Sequence, residues 1–387
     1  MKIEEVHFNH DVTSASADAL NIRKNAGGLP IQAPEWKDGQ PPQPAAYAAA
    51  ALGSQVTIRA KFSGGPPHRA VKIRAIDAYL PPPSPGGCLG WLITLIAGIL
   101  RALFGNVLGD VQERIVHLDA AGNSSLETFT LINHKLKTSG VGIRTTDWKW
   151  QMRVQHHWVT FGTTQHRTYV ILDLPNGPWQ QDAAGNNTQL PWTDALDKAC
   201  LWALGALTKD EAAALITVAV NTQPLQSYTP VTIFLAGLSI DDPYALSSYL
   251  NQLNGGVPFR LNCTDCADAV TTMANLLGCD LWEGRFFDLQ TRKFLTLNGD
   301  PTVEADWVAW DWGYHEICWL HSIGQNELIY DGCLQVDMDD NYADLVHVAR
   351  HPIKMQFGMS APDDYRYRLI ETGAGTLENI PRRRAVE

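Results

Sequence analysis

The residues of this chain best suited to chemistry are a thiol, an imidazole and a carboxylate. His315 follows Cys263 by 52 positions, and Asp331 follows His315 by a further 16. A thiol beside a histidine that a carboxylate orients is the set that thiol acyl transfer requires. In Asn262-Cys263-Thr264-Asp265-Cys266-Ala267, Asn262 can cap a helix and Asp265 sits three residues on. Ala267, Val270, Ala274 and Leu277 then recur at helical spacing until Gly278 stops the run. Cys263 therefore falls in the first turn, where unpaired backbone N–H groups and the helix dipole favour thiolate over thiol. Asp265 works slightly against that effect. Further on, Tyr314 to Trp319 reads as a strand, and Glu327 to Gly332 as a second strand ending in a turn. A hairpin of the two would bring His315 and Asp331 together.

These residues resemble the transglutaminase-like thiol enzymes, a circular variation on the papain-like fold. The resemblance covers roughly the C-terminal half and lies in motif and spacing. In that family the nucleophile commonly reads Cys-x-Asp/Glu-aromatic-Ala, with a glycine fifteen residues after the cysteine. Cys263, Asp265, Ala267 and Gly278 fall at those places, with Cys266 where the aromatic residue would be. The family's histidine opens a strand and its aspartate closes the next, as His315 and Asp331 do; Asp331-Gly332-Cys333 stands where Asp-Pro-Thr is common. The resemblance implies Cys263 as nucleophile, His315 as general base and acid, Asp331 as its orienter, and a pair of helices before the nucleophile.

The implied chemistry is acyl transfer from an amide through a thioester, with no cofactor. Part of the oxyanion's stabilisation would come from the Cys263 backbone N–H, and the sequence assigns no second donor. Many members of the superfamily are hydrolases, and nothing here looks like the calcium loops of the animal crosslinking enzymes. A cysteine protease or amidase acting on a peptide or protein substrate is the expectation. The alternatives are a protein-glutamine acyl transferase, a peptidoglycan-type thiol peptidase on the strength of Asp265-Cys266, and a noncatalytic binding or assembly module of the same fold.

Each residue also has a plainer reading. Buried cysteine is a common small hydrophobe, so Cys88, Cys200, Cys266, Cys279, Cys318 and Cys333 are most simply core residues. Cys263-x-x-Cys266 could be half of a zinc or redox site, but no second CxxC or CxxH follows to supply four ligands. His321 competes with His315 but lies nearer a turn, and Asp331 could be an ordinary turn aspartate before glycine. Trp307, Trp310, Trp312 and Trp319 surround His315 in sequence and Trp282 follows the cysteine helix. They read as walls of core and cleft.

The chain must supply elements that hold these residues, and its 387 residues, 45% hydrophobic and 18% charged, suffice for two or three domains. A formal charge of −11, with no basic cluster larger than Arg382-Arg383-Arg384, argues against nucleic acid. Seven irregularly spaced cysteines make no disulfide framework, and Met1-Lys2-Ile3-Glu4-Glu5 has no apolar signal core, so cytoplasm is the default.

The fold class expected is α+β: an N-terminal β-sandwich followed by a transglutaminase-like thiol domain. Gln55 to Phe62, Arg69 to Ala78, Arg114 to Ala120, Leu126 to Ile132, Gly140 to Val154 and Arg167 to Leu172 are short runs rich in β-branched and aromatic residues, separated by Gly, Pro and Asn turns. Trp148, Trp150 and Met152 alternate with Lys149, Gln151 and Arg153, as in a strand with one buried face. Pro175-Asn176-Gly177-Pro178 and the polar loop after it suggest domains of 1–179 and 180–387. Beyond that boundary Thr193-Asp194 can cap a helix through Ala206, and Thr208 with Glu211 a second.

One segment, 81–109, fits neither domain. Pro81 to Gly87 leads into Cys88 to Leu108, whose single formal charge is Arg101. It is expected to be a helix or helical hairpin buried on the chain or in an oligomer, or in reversible contact with a membrane.

Overall fold

A computed structural model describes residues 1–10, 19–78, 106–179, 190–235, 242–341, 345–358 and 361–387. The architecture is mixed, with many strands and few helices. The chain divides into two compact units: Met1–Leu174 with Gln181–Thr193 and Leu204–Leu207, and Pro175–Gln180 with Asp194–Ala203 and Thr208–Glu387.

The first unit is built on β1 (Lys2–His7), β2 (Trp36–Lys37), β3 (Ala45–Ala48), β4 (Val56–Ser63), β5 (Ala70–Asp77), β6 (Asp110–His117), β7 (Glu127–Ile132), β8 (Gly142–Val154) and β9 (His157–Ile171). They join in one sheet, in the order β2-β1-β4-β7-β6-β5-β8-β9-β3. On β8, Trp148 and Trp150 are fully buried while Lys149 is only partly so, the alternation that the sequence carries. Phe62 of β4 meets Trp150 of β8 with ring centroids 5.4 Å apart. In a flat sheet those strands, four steps apart, would be separated by about 19 Å. The sheet therefore curls over its own apolar face and encloses one core.

Two strands escape a reading by pattern. β3 is Ala-Ala-Tyr-Ala, without strand propensity, and forms because it pairs in parallel with the end of β9. β9 begins ten residues before Arg167, because its half-exposed, Thr- and Gln-containing first part is extended by pairing along β8.

Apart from residues 106–108, the apolar segment Cys88 to Leu108 and its proline lead lie outside the described residues. Among the described residues, no helix is long and apolar enough to cross a membrane.

In the second unit, α1 (Thr193–Trp202), α2 (Lys209–Asn221) and α3 (Leu246–Gly255) precede α4 (Cys263–Leu276), with β10 (Gln226–Tyr228) and β11 (Phe259–Leu261) paired in parallel between them. Then come β12 (Leu281–Thr291), β13 (Phe294–Leu295), β14 (Trp307–Val308), β15 (Asp311–Leu320), β16 (Leu328–Tyr330), β17 (Gln335–Asp337), β18 (Ala349–Arg350), β19 (Ile353–Gln356), a short α5 (Tyr365–Leu369) and β20 (Ile370–Leu377). β19-β16-β15-β12-β20 form a five-stranded sheet, and β14-β13-β17-β18 a smaller one. The capping box of Thr208 and Glu211 opens α2. α1 ends at Trp202, short of Ala206.

Every residue of α4 is buried, although the helix carries Thr264, Asp265, Asp268, Thr271 and Asn275. Such a helix is tolerable only if its polar groups are partnered. Asn275, for example, bonds Gly177 O, Leu281 O and Leu281 N, each at 2.9 Å. α4 packs against α2, β12 and β15, which fixes its first turn relative to the sheet.

Candidate active site

Cys263 is the first residue of α4. The Asn262 side chain accepts from Asp265 N at 3.0 Å, and the Asp265 carboxylate accepts from Asn262 N at 3.0 Å, completing a capping box. Gly278, at φ 91°, follows the helix end in the left-handed conformation that glycine adopts without strain. Asp265 does more than cap: it also accepts the N–H groups of Ile233 and Phe234, securing the loop that flanks Cys263. Burial pushes its carboxyl up to about 6, against the lowering effect of these backbone donors.

His315 lies on β15 and Asp331 directly follows β16. The two strands are antiparallel, with Cys318 opposite Tyr330, and His315 Nε2 lies 2.9 Å from Asp331 Oδ2. Both side chains are buried. Asp331 is fully engaged, because Tyr365 Oη donates to Oδ2 at 2.6 Å and Cys333 N donates to Oδ1 at 2.7 Å. The imidazole is stacked on Trp312 at 4.6 Å and 12° and meets the edge of Phe286 at 5.5 Å. Nε2 is thus committed to Asp331. The Cys263 thiol and the ring lie close enough to shift each other's titration.

Burial alone would depress the imidazole's pKa, but the charge and hydrogen bond of Asp331, aided by Cys263, carry it up to about 10. Burial pushes the Cys263 thiol up as well, while His315 and the backbone N–H of Glu316 pull it down. Cys266 is pushed up to about 11, by burial first, and its thiol neighbour is Cys333. Cys318 is part of the core, receiving Thr271 Oγ1 at 3.1 Å and donating to Ala267 O at 3.3 Å. His321 is exposed and pairs with Asp280 at 2.9 Å at the end of β15. Of the candidates read from sequence, the structure brings Cys263, His315 and Asp331 together.

Cys263 opens on a cleft of about 830 Å³ whose lining includes Tyr228, Asp306, Trp310, Asp311, Trp312 and Tyr314. Tyr228 lies against Trp310 at 4.8 Å. Burial, then the neighbouring thiols, push the Tyr228 hydroxyl up, so it stays a donor. The tryptophans singled out in the sequence separate into distinct roles. Trp310 and Trp312 wall the cleft, Trp319 packs on Phe357, Trp307 stacks on His347, and Trp282 lies beneath Arg383. Sequence reasoning missed Tyr228, Tyr365 and Phe286, which reach the site from separate elements and carry no local motif. It also missed Arg384, which lies within the basic triplet considered only for nucleic acid.

No protein-family model matches the chain, and no curated protein matches it. Among solved structures the chain is similar to red sea bream transglutaminase, at 10% sequence identity and a TM-score of 0.37, over 82% of this chain and 54% of that one. This chain thus spans about half the length of that enzyme. A likeness of this size fixes neither family nor reaction.

Proposed function

We propose that the second unit is a transglutaminase-like thiol domain of papain-like kind that hydrolyses amides of peptide or protein substrates. The curled sheet of the first unit is read as its accompanying β-sandwich. The observation that carries the functional reading is the buried His315–Asp331 pair beside a first-turn cysteine on the wall of an open aromatic cleft.

In this reading the Cys263 thiolate attacks the amide carbon while His315 holds the proton. The tetrahedral oxyanion collapses to a thioester as His315 protonates the departing amine. Water then attacks the thioester, giving one proton to His315, and the S–C bond breaks to release the acid and restore the Cys263 thiolate beside the protonated His315. Asp331 keeps the ring in one orientation and stabilises the imidazolium. The Cys263 N–H at the helix start and the Tyr228 hydroxyl are the donors assigned to the oxyanion. Stacking against Trp312 limits ring rotation and keeps water from one face of the imidazole.

A primary amine in place of water would give transfer instead of hydrolysis, and one experiment separates the outcomes. The protein is incubated with a peptide library containing glutamine, in the presence and absence of excess primary amine, and products are followed by mass spectrometry. Cleaved or deamidated peptide is expected, with loss of product in Cys263→Ala. Predominant amine conjugate would reverse the choice of acceptor, and absence of any product with an unreactive Cys263 would favour a binding module.

A further inference from the structure

Each of the two reacting residues is followed in sequence by a residue that joins it to the other. Thr264, next to Cys263, donates Oγ1 to Glu316 Oε2 at 2.8 Å, and Glu316 is next to His315. The Glu316 backbone N–H also lowers the pKa of the Cys263 thiol. The helix start and the strand are therefore cross-braced at the point where thiol meets imidazole.

The brace rests on a buried carboxylate, which needs countercharge to be tolerated. Arg285 Nε lies 3.1 Å from Glu316 Oε2, and Arg384 NH2 lies 2.9 Å from Oε1. Arg384 is itself 4% exposed and reaches two more buried carboxylates, Asp268 at 2.6 Å and Glu283. Asp268 lies one turn along α4 from Thr264, and Glu283 is on β12. One guanidinium thus joins the thiol's helix, the imidazole's strand and the strand beside it. Its fork geometry suits such multiple engagement.

The segment bearing Arg384 is anchored on both sides of it. Arg382 and Glu283 exchange backbone hydrogen bonds at 2.9 Å, Tyr244 N donates to Ala385 O at 2.8 Å, and Ser247 N donates to Glu387 O at 2.9 Å. Burial pushes Asp268 up strongly and Glu283 up to about 7, whereas Arg384 and Arg285 overcome burial to hold Glu316 low. Removing Arg384 would leave three buried carboxylates facing each other with only Arg285 bonded to Glu316 and the charge of Arg382, which is itself paired with Glu378, to offset them, and Glu316 could no longer keep its place.

We propose that Arg384 is a positioning residue which, through Glu316 and Thr264, sets the separation of the Cys263 thiol and the His315 imidazole. The proposal rests on the reading of those two as the reacting pair. The test uses the full chain and follows iodoacetamide labelling of Cys263 between pH 5 and 10, assigned by mass spectrometry, with circular dichroism and melting as checks of folding. Thr264→Val and Arg384→Met are expected to slow labelling at pH 7 by about tenfold or more and to move its midpoint to higher pH. Arg384→Lys should recover part of the loss, and so should Glu283→Gln added to Arg384→Met, because it removes a carboxylate left without its partner. A purely structural role would not give the pH shift in a variant that is folded. If Arg384→Met does not fold, Thr264→Val decides, since it deletes one hydroxyl at constant shape. Folded variants with the parent pH profile would overturn the brace and leave the thiol reading standing. A parent Cys263 no more reactive than the other cysteines would overturn both.

Discussion

At the scale of single residues, the site is defined by which charges its surroundings permit. His315, raised from an ordinary 6.5 to about 10, binds its proton more tightly in the folded chain than in the unfolded one. The stability this contributes is fully present below about pH 6.5 and is lost as pH rises towards 10. Asp331→Asn should therefore cost most stability near pH 6, with a pH-dependent part on the order of a few kcal/mol. Urea unfolding across pH 6 to 10 checks this, and a constant difference between parent and variant would contradict the pairing. The same substitution should depress turnover while the fold persists, since the carboxylate acts on the ring's orientation and charge. Tyr228→Phe removes a hydroxyl assigned to the oxyanion and little packing. It should lower kcat by about 10²-fold with KM nearly unchanged, and a change confined to KM would return Tyr228 to the cleft wall.

At the scale of elements, the turn after β16 is what brings Asp331 to the helix side of the sheet. Gly332 in that turn is packed so closely on α4 and α2 that a Cβ would come within 2.8 Å of Val270 Cγ2 and 3.2 Å of Val220 Cγ1. The Asp331-Gly332-Cys333 sequence therefore has a packing reason. Gly332→Ala should destabilise the protein by about 1–3 kcal/mol through overpacking, and should slow Cys263 labelling because Asp331 moves with the turn. Thermal melts alongside labelling rates would show it; unchanged values of both would mean the turn can yield. The cleft wall makes a further prediction from Asp306 and Asp311, since no basic side chain is among its described lining residues. Peptides with Lys or Arg beside the susceptible amide should be preferred over acidic ones, by a margin that shrinks as salt is added. Matched peptide sets at two ionic strengths would measure it, and a preference for acidic peptides would overturn it.

At the scale of the whole molecule, each unit encloses its own core, and the segment 81–109 belongs in sequence to the first of them. Its apolar content should make removal of residues 81–105, which spares the core residues Val107 and Leu108, change sedimentation or liposome flotation while Cys263 labelling stays as in the parent. Identical behaviour in both assays would reduce the segment to an ordinary insertion. How much of this protein could be read from its sequence follows from the range of the forces involved. Helix caps, hydrophobic periodicity and turn residues act over a few positions. Asn262 and Asp265 therefore announced the start of the cysteine helix, Gly278 its end, Thr208 and Glu211 another cap, and the alternation at Trp148 and Trp150 a strand face. The spacing of His315 and Asp331 was legible because a hairpin is itself local. Tertiary structure alone decided the rest. The alanine-rich β3 and the polar start of β9 are strands because partners hold them there, and the sheet's curl depends on contacts between strands far apart in the chain. Tyr228, Tyr365 and Arg384 reach the site across 35, 34 and 68 positions from Cys263, Asp331 and Glu316. A buried charge such as Glu316 is affordable only when a partner from elsewhere is already in place, and no pattern within one segment can reveal that partner.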